Sequence, residues 1–418
     1  MIQYIKNRVS PLSLSIRDWY TGRLPVATIR NHLQKKTVPR HRHTVWYYLG
    51  GLTVFFFVVQ LLTGVLLMIY YKPTIEGAHQ SVVYIINEVP FGWLIRSIHS
   101  WAANLMIATL LLHMITVFYL QAYRPPRELM WMSGFILLFL ILGFGFTGYL
   151  LPWDDVAFYA TQIGTEVPKS IPVIGPTIVT LLRGGEDIGE ATIPRMYTLH
   201  VFVLPFATFL LIGIHLFLNQ YYGSSKPAGT PTKGKSIPFY PNFVLRDIRA
   251  WGIAFILLLC VAILMPWGLG QEADILRPAP EGVKPEWYFI PMYQTLNILP
   301  SHIWIFDGET VLNTMMMLGG LIVFLLPFLD RKAKHEERNL FIVSAGTVLI
   351  LYCIVITLLS GPLPGEDPAV QETKIEFPSF EYRINLLMYF ITPLIILIFF
   401  IVLKIRQLEF HKGQNYYE

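Results

Sequence analysis

Four histidines in two apolar stretches are the side chains best suited to chemistry in this sequence. In residues 91–121, FGWLIRSIHSWAANLMIATLLLHMITVFYLQ, His99 and His113 lie fourteen positions apart. On an α-helix that interval is roughly 21 Å of rise with a net rotation of about −40°, so both rings point to nearly one side at two depths. Residues 195–220, RMYTLHVFVLPFATFLLIGIHLFLNQ, repeat the pattern with His200 and His215. An imidazole in hydrocarbon is costly and marks a functional position by default. Two core histidines bonded to neighbouring carbonyls explain one such helix, but two matched helices point to metals held between them. Borderline metals suit imidazole, and paired axial histidines on haem iron are the usual form of this in an apolar bundle. A structural zinc needs four ligands at one depth, which the spacing does not offer. Two haems are the reading.

The elements that must position these ligands are membrane spans. The chain has 418 residues, 54% of them hydrophobic and 14% charged, with mean hydropathy +0.50. That describes an all-α, polytopic integral membrane protein and excludes a soluble enzyme. Apolar runs place eight transmembrane helices at about 45–70, 93–121, 129–151, 196–219, 250–267, 311–329, 340–359 and 385–404. Residues 1–44 read as a cytosol-facing amphipathic arm whose lysines and arginines lie against anionic lipid, with no continuous apolar core of a signal peptide. A four-helix bundle at 45–220 holds the haems. A Gly-, Pro-, Ser- and Lys-rich linker at 221–243 leads to a second four-helix part, 244–418. Cys260 and Cys353 sit in apolar runs and give neither a disulfide framework nor a metal site.

Charge placement orients the spans. With both termini inside, the inner segments hold 23 of the 32 lysines and arginines, as the positive-inside rule requires. The formal charge of +5 therefore needs no nucleic-acid partner. Two outer loops, 151–194 and 268–310, are long enough to be functional. Gly50 and Gly64 on the first span are fourteen apart, as are Gly134 and Gly148 on the third. Both intervals match that of His99 and His113. Single pairs suit ordinary small-residue packing, but two matching pairs suit a flat ligand approaching the backbone.

These features, with GYLLPW (148–153) and PEWY (285–288), make the chain resemble cytochrome b of the cytochrome bc complexes from about residue 30 to 405. The first half looks most like the cytochrome bf branch, in which the second histidine pair is fifteen apart, as His200 and His215 are. KPTI (72–75), FGWLIRSIH and PRELMW look like that branch too. The bf type is split into two chains, whereas this chain is continuous. It also attaches an extra c-type haem through a cysteine before the LGG of span one, where this sequence has Tyr48. The resemblance thus implies a fused bacterial form with two non-covalent b haems and no covalent one.

Further expectations follow from the resemblance. Spans two and four run the same way, so His99 pairs with His200 near the outer face and His113 with His215 near the inner face. Arg96 and Arg195 pair with haem propionates. Thr116 stands where the family often has an arginine, with Arg124 or Arg127 as substitutes. The outer quinol site gathers Tyr149, Pro152, Ala160, Glu286, Tyr288 and Tyr293, with Glu286 as proton acceptor rather than a partner of Lys284 or Arg277. Asp247, with Asn219 or Lys235, belongs to the inner quinone site. The implied activity is that of a quinol–cytochrome-c reductase. Quinol is oxidised outside, one electron goes to a Rieske iron–sulfur protein and on to a c-type cytochrome, and the other crosses to a second quinone. Proton translocation is coupled to this. The setting is a homodimeric complex in a bacterial cytoplasmic membrane. A di-haem anchor subunit of a dehydrogenase or hydrogenase shares the histidines without needing PEWY, and a transporter explains the long loops without the four histidines.

Overall fold

The computed structural model describes residues 34–360 apart from 42, 172–173, 228–235, 275–283, 336 and 359, together with 18–19, 22–23 and 31. Its long helices arise where apolar residues run unbroken, because backbone amides in lipid must be paired within the segment. They are α1 (Tyr48–Met68), α3 (Gly92–Tyr119), α4 (Glu128–Leu150), α7 (Thr192–Tyr222), α8 (Val244–Leu264) and α12 (Leu340–Leu358). Among the described residues these six helices, some with an added turn, are long and apolar enough to cross a membrane. The sixth expected span, 311–329, is a shorter apolar helix, α10 (Gly308–Phe324), followed across Leu325 by the single turn α11 (Leu326–Leu329). The expected span 385–404 lies outside the described residues.

Span five differs from its expected limits of 250–267. Its helix starts at Val244 and stops at Leu264. Arg246, Asp247 and Arg249 hid the first turns from a hydropathy reading. Pro266 ends the helix by forcing Met265 out of the helical region, to φ −137° and ψ 68°.

The outer loops contain structure of their own. Before the first of them, between α1 and α3, α2 (Ile75–Asn87) is capped by the Thr74 hydroxyl, which accepts from Gly77 N–H. In the loop after α4, α5 (Asp155–Glu166) is capped by Asp154, and α6 (Gly175–Arg183) ends on Gly184 at φ 84°. The buried Arg183 guanidinium ties these two together, donating to Thr165 Oγ1 at 2.7 Å and to Glu166 Oε1 at 2.9 Å. In the loop after α8 lies α9 (Ile290–Ile298). At the opposite end of the long helices, β1 (Thr37–Pro39) pairs antiparallel with β2 (Ser236–Pro238), Val38 opposite Ile237. A second two-stranded hairpin, β3 (His302–Ile303) with β4 (Phe306–Asp307), precedes α10.

Helix α1 packs along α3, α4 along α7, and α8 against both α1 and α3. The main core draws on all of these parts: Leu52 and Phe56 meet Trp101, Ile141, Ala254 and Leu258. The start of α3 is also bonded to the end of α8. Ser97 Oγ donates to the Ala262 carbonyl at 3.0 Å and Trp101 Nε1 to the Met265 carbonyl at 2.9 Å.

Candidate functional site

His99 on α3 and His200 on α7 face each other with ring centroids 6.3 Å apart and planes inclined at 69°. A metal bound to one ring nitrogen on each side, with bonds of about 2 Å, holds imidazole centroids at about this separation. His113 and His215 form the corresponding pair further along the same helices, within electrostatic range of each other.

Hydroxyl groups fix how three of these rings are protonated. Thr63 Oγ1 lies 2.8 Å from His99 Nδ1, Thr147 Oγ1 lies 3.1 Å from His200 Nδ1, and Ser133 Oγ lies 2.9 Å from His215 Nδ1. Each hydroxyl hydrogen is already given to a carbonyl of its own helix: Val59 at 2.7 Å, Gly143 at 2.8 Å and Met130 at 3.0 Å. With that hydrogen given away each oxygen is placed to accept from Nδ1–H, and the Phe144 and Met130 carbonyls also bond the His200 and His215 rings, which assigns the proton to Nδ1. Nε2 keeps its lone pair for a metal. Second-side bonding of this kind is what a ligating histidine needs. His113 Nδ1 is buried with no hydrogen-bond partner.

Each spaced glycine lies against one of these rings. A β-carbon on Gly50 would come 3.3 Å from Cε1 of His113, on Gly64 3.3 Å from that of His99, on Gly134 3.3 Å from that of His215, and on Gly148 2.5 Å from that of His200. The glycines thus seat the ring edges of the histidines.

The fifteen-residue interval between His200 and His215 has a local cause. Leu199–Val203 forms a π turn, with Leu204 N–H bonded back to the Leu199 carbonyl. Pro205 has no N–H to offer Val201, which favours the wider turn. The turn absorbs one residue, so His200 and His215 keep nearly the angular offset of His99 and His113.

The outer pair opens on a cavity of ≈ 290 Å³, also lined by Tyr149, Pro152, Glu286 and Tyr288. Residues from both long loops thus share one space with His99 and His200, whereas Ala160, Tyr293 and Arg195 do not line it. The loops are stitched together by Asp154, whose Oδ2 accepts from Gly270 N–H at 3.1 Å, and by Asp155 N–H donating to the Gln271 carbonyl at 3.0 Å. The PEWY segment is fixed by a residue that the sequence reading missed: Trp287 Nε1 donates to Oδ1 of buried Asn104 on α3 at 2.8 Å. Tyr288 is packed on Gly145. Burial, and then the charge of Glu286, push its phenol well above the usual range, so it stays protonated as a donor.

The arginines are spent on the backbone. Arg96 donates to the Trp267 and Gly268 carbonyls, both at 2.7 Å, and so anchors the start of the second loop while lining the cavity. Arg195 lies at the α6–α7 junction against Gly184 and donates to the Ala191 carbonyl at 3.3 Å. Arg124 holds the Lys226 carbonyl at 2.5 Å and Arg127 that of Tyr222 at 3.1 Å. Lys284 donates to the Ser360 carbonyl at 2.7 Å, and Arg277 lies outside the described residues.

At the end of the helices that carries β1 and β2, Asp247 is packed against Gly51, where a β-carbon would come 2.5 Å from Oδ1. That oxygen and the Trp251 indole N–H near it are buried without partners in hydrogen-bond geometry. Tyr48 stacks on Phe243 with centroids 4.8 Å apart. Lys235 lies outside the described residues.

Comparison with known proteins agrees with this arrangement. The family model described as cytochrome b/b6/petB matches residues 33–223, and that described as cytochrome b (C-terminal)/b6/petD matches residues 272–377. A cytochrome bc complex cytochrome b subunit of Chlorobaculum thiosulfatiphilum is 45% identical over 347 residues, covering 82% of this chain and 80% of that one. Cytochrome b6 of Synechococcus elongatus is 43% identical over 212 residues, which are 51% of this chain and 98% of that one. A chain in a solved structure of a hyperthermophilic respiratory complex III has TM-score 0.72 and 28% identity, over 93% of this chain and 98% of that chain. The two family models follow one another in a single polypeptide, and this chain therefore belongs to the cytochrome b family, as the fused subunit of a bc-type quinol:cytochrome c oxidoreductase complex.

Proposed function

We propose that this subunit oxidises quinol at its outer face and serves quinone reduction at its inner face, with two b haems between them. The observation that carries this is the single cavity lined by His99, His200, Glu286 and Tyr288, with a second histidine pair deeper along the same helices. His99 and His200 hold the outer iron, His113 and His215 the inner one. The glycines and hydroxyls described above fit that role by freeing Nε2 and seating each ring. When bound, the haems supply one-electron transfer between the two faces.

Quinol oxidation releases two protons with two electrons. Glu286 accepts a quinol proton and passes it outward, while Tyr288 donates a hydrogen bond and Tyr149 shapes the cavity wall. Tyr293, which does not line the cavity, acts from beside it. One electron leaves through a Rieske iron–sulfur protein to a c-type cytochrome. The other goes to an inner quinone beside Asp247. Protons are released outside and taken up inside, which couples the reaction to translocation. Arg96 and Arg195 pair with the haem propionates, Arg96 exchanging for them carbonyls it now holds. The complex is a homodimer in a bacterial cytoplasmic membrane, both termini of this chain facing the cytoplasm. Its functional parts are the arm 1–44, the haem bundle 45–220, the linker 221–243 and the quinol-site region 244–418.

Purified complex given a quinol and oxidised cytochrome c tests the reading. Cytochrome c reduction that stops when the Rieske protein is removed is the expected result. Haem reduction without any electron delivery to cytochrome c, Rieske protein included, is the behaviour of a di-haem anchor and overturns it.

A further inference from the structure

The three hydroxyls bonded to histidine Nδ1 share a sequence position that the spacing of the glycines conceals. Thr63, Ser133 and Thr147 each immediately precede a spaced glycine: Gly64, Gly134 and Gly148. The glycine seats one histidine ring, and the hydroxyl before it accepts from the same ring's Nδ1–H. The fourth glycine, Gly50, seats His113, but the residue before it is the fully buried Leu49. A leucine can accept nothing, and His113 Nδ1 is the ring nitrogen left without a partner.

We infer that Thr63, Ser133 and Thr147 are positioning residues that set the donor strength of the iron ligands, and that Leu49 withholds this effect from His113. The inference rests on the haem-binding reading above. An imidazole whose Nδ1–H is held by an acceptor carries more negative charge on Nε2 and is a stronger ligand. Stronger donation favours the oxidised metal, so each hydroxyl lowers the midpoint potential of its haem. The outer pair receives two such contributions, through His99 and His200. The inner pair receives one, through His215.

Redox titration of the haem bands in the purified complex tests this with four variants and two controls. Thr63→Val and Thr147→Val keep the shape and remove the hydroxyl acceptor, and each should shift the reduction equilibrium of the outer haem toward the reduced form, about tenfold for Thr63→Val and less for Thr147→Val, where the Phe144 carbonyl remains. For one electron tenfold is about 59 mV. Ser133→Ala should do the same to the inner haem alone. Leu49→Thr supplies the missing acceptor, and should shift the inner haem by a similar factor in the opposite direction. Thr208→Val is one control, since this buried hydroxyl has no partner and touches no ligand nitrogen. It should move neither potential, and Thr63→Ser, the other, should keep the wild-type value. Should Thr63→Val fail to assemble, Ser133→Ala and Leu49→Thr decide the matter. Unmoved potentials in haem-loaded variants, or equal shifts in both haems or in a control, overturn the inference. A wild-type complex without b-haem absorbance overturns the underlying reading instead.

Discussion

Gly148 lies so close to His200 that a β-carbon on it would come 2.5 Å from the ring's Cε1. The neighbouring atoms there belong to a ring that must also keep its bond to Thr147, so it has little freedom to retreat. Overpacking of this kind costs about 1–3 kcal/mol. Gly148→Ala is expected to abolish the outer haem, while Gly64→Ala, Gly50→Ala and Gly134→Ala, at 3.3 Å, retain theirs with perturbed bands. Reduced-minus-oxidised spectra of purified variants check the ranking. Equal haem content in all four would contradict the geometry.

The ligand pairs predict which variants share a phenotype. His99→Leu and His200→Leu should each remove the same spectroscopic haem, and His113→Leu and His215→Leu the other. The check is the α-band remaining in each variant. Indistinguishable spectra from His99→Leu and His113→Leu, with protein assembled, would dismiss two separate sites.

Glu286 shares the cavity with the outer histidines, and its neighbour Tyr288 is held as a protonated donor. Glu286→Gln keeps the shape but cannot take a proton. Both haem spectra should be normal and quinone binding nearly so. Turnover should fall roughly 10²–10⁴-fold, the range for losing a positioned acid–base group. Wild-type turnover with an unchanged pH–rate profile would show that the proton leaves by another path.

Tyr48 occupies the place before Leu49 and Gly50 with its ring stacked on Phe243. A tyrosine forms no thioether. Acid–acetone should therefore extract all haem from this polypeptide, and a haem stain of the denatured chain on a gel should be blank. A stained band would refute the expectation of two non-covalent haems.

Much of this was legible in the sequence because lipid is a strict solvent. Apolar runs had to become helices, and spacing alone singled out the four histidines and the four glycines that lie against their rings. The roles of the arginines could not be read that way. Arg96 donates to the Trp267 and Gly268 carbonyls in the loop that follows helix α8, a contact between residues distant in sequence that no local pattern announces. Asn104 was invisible for a similar reason: its partner, Trp287, is distant in sequence. The hydroxyls were legible in principle, as Thr-Gly and Ser-Gly pairs, but the glycine interval drew the eye away from the residue before it.

The π turn around His200 bears on how relatives of this chain should be aligned. An inserted residue in a helix ordinarily rotates everything after it by about 100°, which would turn His215 away from its partner. Here the insertion is confined to Leu199–Val203, and the helix beyond it is in the same phase as before. Chains with these ligands fourteen and fifteen positions apart can therefore superpose along the rest of the helix. The alignment gap belongs inside that one turn, and a gap placed nearer His215 would misassign every lipid-facing position between them.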